Sequence, residues 1–397
     1  MEALFWTSTL VIIYTFIGYG LVITALAYFK KKKPLIALSE EDLPEVTLLV
    51  AAYNEADIIA KKVENCMELD YPANKLNLLF VTDGSDDGTP ELIKEHPQVE
   101  VMHQPARHGK IAAVNRAMPH VTTPIVIFTD ANVMINKSGI RSMVQHFQNN
   151  MVGAVSGEKR VMSAAKDGAS AAGEGLYWKY ESYLKRKDAE WNSLVGSAGE
   201  LFAIRRHLFT PVAEDCLIED FVMTMGIAAQ GYQVAYEPKA TATETASANV
   251  KEESKRKVRI AAGGVQAMIK LSRVLGAFTH PKLFFQYFSH RVLRWTLMPI
   301  AMLTAMVAAG FLYGEHPLYD FAFWTQITFY TLAAAGHGLR NQKISLKGFF
   351  APYYFTYMHI CVVRGWFRYF KGQQQVTWEK AESVKPCQLM PLRATRF

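Results

Sequence analysis

The chain has little cysteine, and none of it is placed where a metal or disulfide framework would need it. Cys66, Cys216, Cys361 and Cys387 are scattered and form no C-x-x-C pair. That argues against a zinc site or a disulfide scaffold and fits a reduced compartment. No internal repeat or low-complexity segment is present. No basic stripe interleaved with aromatics runs through the middle of the chain, so the net charge of +7 points to basic residues beside anionic lipid and away from nucleic acid. Charge itself is missing from Leu4 to Phe29, a run longer than the roughly 20 apolar residues that cross a hydrocarbon core.

That run has no basic stretch before it and no small-residue cleavage site after it, so it reads as an uncleaved anchor and not a signal peptide. The cluster Lys30 to Lys33 follows it, which by the positive-inside rule places the middle of the chain in the cytoplasm. Hydrophobic residues make up 50% of the 397-residue chain, and they concentrate at its two ends. Trp295 to Tyr313 reads as a second span, Phe321 to Ala335 as a short third, and Phe349 to Val363 as a fourth. The basic stretch between the last two suits the cytoplasm. It would leave Arg364, Arg368, Lys371, Lys380 and Lys385 outside, unless the fourth segment is interfacial or re-entrant, or packing overrides the charge rule. The organisation expected is an anchor at 1–33, a catalytic domain at 44–275, an interfacial helix region at 276–294, further spans at 295–365 and a basic tail at 366–397.

Between the apolar ends, strand-like and helix-like stretches alternate. "VTLLVAA" stops at Tyr53-Asn54-Glu55, "LNLLFVTDG" at Asp83-Gly84, and "PIVIFTDAN" at Asp130 to Asn132. Repeated βα units predict an α/β fold with a mainly parallel sheet. In such sheets ligands bind beyond the carboxyl ends of the strands, which is where the three polar breaks fall.

Each motif has two readings. "TDGSDDGT" is a turn rich in turn-formers, and it lacks the later Glu of an EF-hand; alternatively Asp83 meets a base or ribose. Asp130 and Asn132 make a strand end with an Asx turn, or two oxygen ligands for a hard cation that also holds a diphosphate. Lys110 starts a helix, where a cation opposes the macrodipole, and that misfit favours a place beside a phosphate or carboxylate. Glu219 and Asp220 are first-turn acids, yet Leu217, Ile218, Phe221 and Val222 around them predict partial burial, which raises a carboxyl pKa and makes a general base. Arg256 and Arg259 share a helix face, which is either a solvated surface or a positive face over a diphosphate. Trp178 and Trp378 read as packing residues, and Asp215 as a solvated acid.

In order, "AAYNE", "TDGSDDGT", "HGKIAAVN", "TDAN", "GSAGELFAIRR", "IEDF" and "RKVRIAAGG", followed by "HRVLRW" and apolar spans, resemble the membrane-integrated family-2 glycosyltransferases. That group includes cellulose, chitin, hyaluronan and poly-β-1,6-N-acetylglucosamine synthases, and the bacterial exopolysaccharide branch is the nearest in pattern. The resemblance implies a GT-A (Rossmann-like) fold with flanking transmembrane helices. It also implies a nucleotide-sugar donor such as UDP-GlcNAc or UDP-Glc, Mg²⁺ or Mn²⁺, and inversion at the anomeric carbon. Carried over by position, Tyr53, Glu55 and Asp83 bind the nucleoside with Lys110 close by. Asp130 and Asn132 stand at the Asp-x-Asp that holds metal and diphosphate, and Asp220 is the general base. Gly199, Glu200 and Glu219 line the acceptor side, and Arg256 and Arg259 fall in the Gln-x-x-Arg-Trp region.

Two positions depart from the pattern. Asn132 replaces the second Asp and coordinates without charge. Around Arg259 the Gln and Trp are absent, which removes an acceptor-sugar platform and bears on processivity. The partners implied are a UDP-sugar, a glycan or lipid-linked acceptor, membrane lipid and an export or synthase partner protein. The location implied is the bacterial inner membrane, multi-pass, with the catalytic domain cytoplasmic. A single-addition transferase and a non-catalytic synthase subunit are the alternatives.

Overall fold

A computed structural model describes residues 1–30, 35–162, 168–245, 250–339 and 347–372. Lys31 to Lys33, most of the basic loop before the fourth apolar segment, and the tail with Trp378, Lys380, Lys385 and Cys387 lie outside the described residues. The strands are β1 Val46–Ala52, β2 Leu76–Asp83, β3 Val99–Gln104, β4 Ile125–Asp130, β5 Val133–Ile135, β6 Val152–Met162, β7 Leu201–Arg205 and β8 Gln233–Thr245. They form one sheet in the order β3-β2-β1-β4-β7-β6-β8-β5. β3, β2, β1 and β4 run parallel, as do β6 and β8. β7 is antiparallel to both its neighbours, and β5 is antiparallel to β8. The sheet is thus mainly parallel, as the βα alternation predicts.

Strand side chains alternate faces, and here both faces are buried. Leu49, Val126, Phe128 and Phe202 pack on one side, while Leu48, Val50, Ile127 and Leu201 pack on the other. That is why β1 and β4 read as unbroken apolar runs and not as alternating ones. Phe128 lies opposite Phe202 in the β4–β7 register, their rings stacked with centroids 4.7 Å apart. This pair closes the seam where parallel strands give way to antiparallel ones.

At the N-terminus, helical structure runs from Glu2 to Tyr28 through a wide π turn at Tyr14–Gly18. Among the described residues it is the one continuous helix long and apolar enough to cross a membrane. A second qualifies only if Pro281–Trp295 and Leu297–Phe311, bent by 56° at their junction, are counted together. The expected third and fourth spans do form helices of sufficient length, Pro317–Leu339 and Lys347–Phe370, but neither is apolar enough for a span. The physical reason lies in their sequences: Asp320, Gln326 and His337 interrupt one, and His359, Arg364 and Arg368 the other. Lys347–Phe370 is instead docked on the catalytic domain. Trp366 donates its indole N–H to Trp295 O at 2.7 Å, and Gly365 lies so close to Ala261 that a Cβ there would meet it at 2.6 Å. A multi-pass arrangement is therefore not carried by these helices.

The N-terminal helix is tied to the rest by buried polar groups. Tyr19 donates to Asp188, and Asp188 also faces His290 Nδ1 at 2.5 Å. Glu181 pairs with Arg291 at 2.7 Å and Arg294 at 2.9 Å. Buried charges persist only when paired, and this group joins Gly168–Trp191, Tyr19–Tyr28 and Pro281–Trp295 into one packed unit.

Candidate active site

The carboxyl ends of β1, β2 and β4 open onto a cleft of about 720 Å³. Every site residue singled out from the sequence lines it, from Tyr53, Glu55 and Asp83 at one end to Arg256 and Arg259 at the other. Trp178, read as a packing residue, also lines it. Asp215 agrees with its reading as a solvated acid, since it is exposed and pairs with Lys270 at 2.6 Å.

Asp83 is buried at the end of β2. Its Oδ2 accepts the backbone N–H groups of His108 at 2.7 Å and Gly109 at 2.6 Å. The carboxylate thereby pins the loop that delivers Lys110 to the start of the helix Lys110–Ala117. Gly84, with φ +71°, lets Arg107 pass so close that a Cβ would meet the Arg107 Cβ at 2.5 Å. Arg107 then lies over the Tyr53 ring, its guanidinium 3.7 Å from the ring centroid, a cation–π contact that the sequence reading did not anticipate. Asn54 adopts φ +53°, a left-handed conformation that Asn tolerates. It is held there by donating Nδ2 to Asp86 at 2.8 Å and accepting the Asp86 N–H at 3.0 Å. Asp87 accepts from the Ala56 N–H at 3.0 Å and from Thr89. Asp86 and Asp87 thus fulfil the turn reading of "TDGSDDGT" by ordering the loop around Tyr53.

Deeper in the cleft, Lys110 Nζ lies 2.7 Å from Asp130 Oδ1 and 2.8 Å from Glu219 Oε1. Burial alone would lower the Lys110 pKa, but the two carboxylates outweigh it and hold the ammonium charged. Burial would likewise raise Glu219, and Lys110 pulls it below the usual carboxylate range. For Asp130 burial wins, and its pKa is raised despite the ion pair. Asp130 Oδ1 is fully buried, with the Lys110 ammonium as its close partner. It is a hard carboxylate oxygen of the kind that a divalent cation takes.

Asp220 follows in the first turn of Glu219–Ala229. A helix N-terminus favours a negative carboxylate, yet burial first, and then Glu219 beside it, push its pKa up to about 7. That value suits a proton acceptor near neutral pH. Gly199 faces it closely: a Cβ there would sit 3.2 Å from the Asp220 carboxylate carbon. Glu200, next in the chain, pairs with Lys159, and Lys159 Nζ also lies 2.6 Å from Glu244 Oε1. Burial would raise Glu200, but Lys159 holds it well below the usual range. Glu244 in turn accepts from Arg256 Nη1 at 2.8 Å, and Glu253 lies 3.4 Å from Nη2. Arg256 is therefore held by carboxylates at the cleft wall, while Arg259 donates to Leu217 O at 3.4 Å.

Lys159 and Glu244 escaped the sequence reading. They sit on β6 and β8, distant in sequence, and no motif marks either. The one available signal is a lysine in the apolar–polar run of β6, which burial would force to find a partner.

Among the described residues no group of three or more His, Cys, Asp or Glu side chains could enclose a metal. Asp130 and the amide of Asn132 fit a cation that draws its remaining ligands from a bound diphosphate and water.

Residues 47–210, spanning β1 to β7, match the family described as Glycosyl transferase family 2. The chain is similar to poly-beta-1,6-N-acetyl-D-glucosamine synthase of Staphylococcus aureus, at 26% identity over 253 residues, 61% of this chain and 60% of that protein. It is also similar to the enzyme of the same name from Staphylococcus epidermidis, at 23% over 267 residues, 64% of this chain and 63% of that protein. Each match spans less than two thirds of the relative's own length. A solved structure, the mannosyltransferase PcManGT from Pyrobaculum calidifontis in complex with GDP-Man and Mn²⁺, superposes with a TM-score of 0.72 at 24% identity, covering 94% of this chain and 99% of that one. Asp220, Arg256 and Arg259 lie beyond the family-matched residues and rest on the geometry above. With this sheet, this cleft and these similarities, the chain has a GT-A fold and carries a match to the family-2 glycosyltransferase domain over residues 47–210.

Proposed function

We propose that the protein is an inverting glycosyltransferase that moves a sugar from a nucleoside-diphosphate donor to a hydroxyl of a glycan or lipid-linked acceptor at a membrane face. The observation that carries this reading is the placement of Asp220, with its pKa of about 7, in the same cleft as Lys110, Asp130 and Asn132. A proton acceptor and a cationic diphosphate cradle side by side are what an in-line displacement needs.

In this reading Tyr53 and Glu55 border the nucleoside, and Asp83 acts mainly by fixing the loop 107–109. Asp220 takes the proton of the acceptor hydroxyl as that oxygen attacks the anomeric carbon, and the nucleoside diphosphate departs on the opposite side. A divalent cation at Asp130 and Asn132, Mg²⁺ or Mn²⁺, supplies charge neutralisation on the diphosphate. Gly199 and Glu200 border the acceptor, while Glu219 serves Lys110. The staphylococcal relatives favour UDP-GlcNAc as donor, and the mannosyltransferase neighbour makes GDP-Man the second choice. The N-terminal helix Glu2–Tyr28 favours membrane anchoring with the catalytic domain on the cytoplasmic side, and the relatives' names favour a role in exopolysaccharide synthesis. Retention of the Asp220, Lys110 and Asp130 geometry weighs against a non-catalytic subunit.

The test is nucleotide release by the detergent-purified chain, supplied with a panel of UDP- and GDP-sugars, Mg²⁺ or Mn²⁺, and a membrane extract as acceptor. One donor should release its nucleotide, and Asp220→Asn should abolish the release. Release that persists in Asp220→Asn would overturn the assignment of the base.

A further inference from the structure

Lys110 sits where a cation belongs. Its ammonium bridges Asp130 and Glu219 at 2.7 and 2.8 Å, and the three side chains are 10%, 18% and 12% exposed. We propose that Lys110 and a divalent cation are alternative occupants of the acidic pocket at Asp130, so that the cation enters stably only with the donor diphosphate, which receives the displaced ammonium. This rests on the reading of Asp130 and Asn132 as the cation-binding pair.

Charge makes the first case. The pair offers one negative charge, because Asn132 is neutral, and the Lys110 ammonium, shared with Glu219, already stands 2.7 Å from it. A divalent ion arriving alone must face the ammonium or expel it into a buried pocket, and either is unfavourable at short range in a low-dielectric site. A nucleoside diphosphate brings its own negative charges, and with it both cations are balanced.

Geometry makes the second case. Lys110 Nζ holds Asp130 Oδ1 and Glu219 Oε1 at the same time, so releasing Asp130 still leaves the ammonium a carboxylate partner. The backbone under Lys110 does not need to move: Asp83 holds the His108 and Gly109 N–H groups, and Gly109 takes φ +101° to start the helix. The movement falls on a flexible four-carbon stem ending in a rotatable ammonium. Glu219 remains a tether on the far side and keeps that ammonium in the cleft throughout.

Sequence makes the third. A lysine at a helix N-terminus is opposed by the macrodipole, and the paired carboxylates explain why it is held there all the same.

The test measures Mn²⁺ binding to the full-length, detergent-purified chain by the electron paramagnetic resonance signal of free Mn²⁺, without nucleotide. Wild type should bind weakly. Lys110→Met should bind roughly tenfold tighter or more, since a unit positive charge at contact distance is gone. Lys110→Gln, uncharged but polar, should show the same gain and serves if the Met variant fails to fold. Lys110→Arg keeps the charge and should stay as weak as wild type. Unchanged Mn²⁺ affinity in folded Lys110→Met or Lys110→Gln overturns the proposal. Asp130→Asn separates this from failure of the underlying reading: it should abolish the gain when combined with Lys110→Met. If Mn²⁺ binding persists undiminished in that double variant, Asp130 is not the cation site, and the reading of the pair fails with it.

Discussion

Gly199 and Asp220 approach so closely that a Cβ on the glycine would stand 3.2 Å from both the carboxylate carbon and its Oδ2. The loop before β7 and the helix Glu219–Ala229 thus meet at the proposed base, with only the absence of a side chain between them. Gly199→Ala should therefore displace the carboxylate by a few tenths of an ångström without removing it. Errors of that order at a reacting centre are costly, and a loss of about 10- to 100-fold in kcat is expected. Donor binding should be nearly unchanged, since the three atoms nearest an added Cβ all belong to Asp220 and none to Lys110 or Asp130. Comparing kcat with the donor dissociation constant checks this, and an equal loss in both would mean the loop itself had collapsed.

The pKa of about 7 for Asp220 has two opposite pH consequences. As a base it works only when deprotonated, so kcat/KM should rise with pH through about 7 and then level. Its effect on stability runs the other way. The folded state holds the proton up to about pH 7, whereas the unfolded chain releases it near the ordinary carboxylate value of about 3.9. Between those values the native state binds more protons, so wild-type stability falls as pH rises across that window. Asp220→Asn, which never ionises, should escape the fall. Its melting temperature should match wild type near pH 4 and exceed it at pH 8, while activity is lost at every pH. A melting difference that does not change between pH 4 and 8 would contradict the raised pKa.

Much of this site was legible in the sequence because local signals and global fold agree. "VIFTDANVMI" is apolar until Asp130 because β4 is covered on both faces, and it turns polar where the strand leaves the sheet. The same holds for β1 at Tyr53 and β2 at Asp83. Arg107, Lys159 and Glu244 were not legible, because their partners are chosen by packing and by strand register. Glu158 of β6 pairs with Thr241 of β8 and Lys159 with Ala242, and nothing local announces that pairing. The apolar C-terminal segments misled in another way. Hydropathy located their helices, but only packing shows that Lys347–Phe370 lies against Val250–Leu271 through Gly365 and Ala261.

Lys159 offers a stability test of the half of the site that the sequence hid. Its side chain is 5% exposed and neutralises both Glu200 and Glu244. Lys159→Met would leave two buried carboxylates without the ammonium between them, with Arg256 still paired to Glu244. Removing one partner of a buried ionic group costs about 3–5 kcal/mol, enough to lower the melting temperature by several degrees. Adding Glu200→Gln should restore part of the loss, because the uncompensated charge goes with it. A thermal melt of the single and double variants reads this directly, and a double variant less stable than Lys159→Met would argue against the charge explanation.

Gly84 connects backbone strain to the proposed nucleoside end of the cleft. Its φ of +71° disfavours any side chain, and a Cβ would run into Arg107 at 2.5 Å. Gly84→Ala should cost about 1–3 kcal/mol in strain, or else push Arg107 off the Tyr53 ring. Gly88 provides the contrast within the same loop: its φ is +87°, but no atom lies within 4 Å of an added Cβ. Gly88→Ala therefore carries the backbone strain without the collision. If Arg107 over Tyr53 shapes the nucleoside pocket, Gly84→Ala should weaken nucleoside-diphosphate binding measured by calorimetry, and Gly88→Ala should lose stability but bind normally. Equal loss of nucleotide affinity in both variants would show that loop strain, and not the placement of Arg107, governs that end of the cleft.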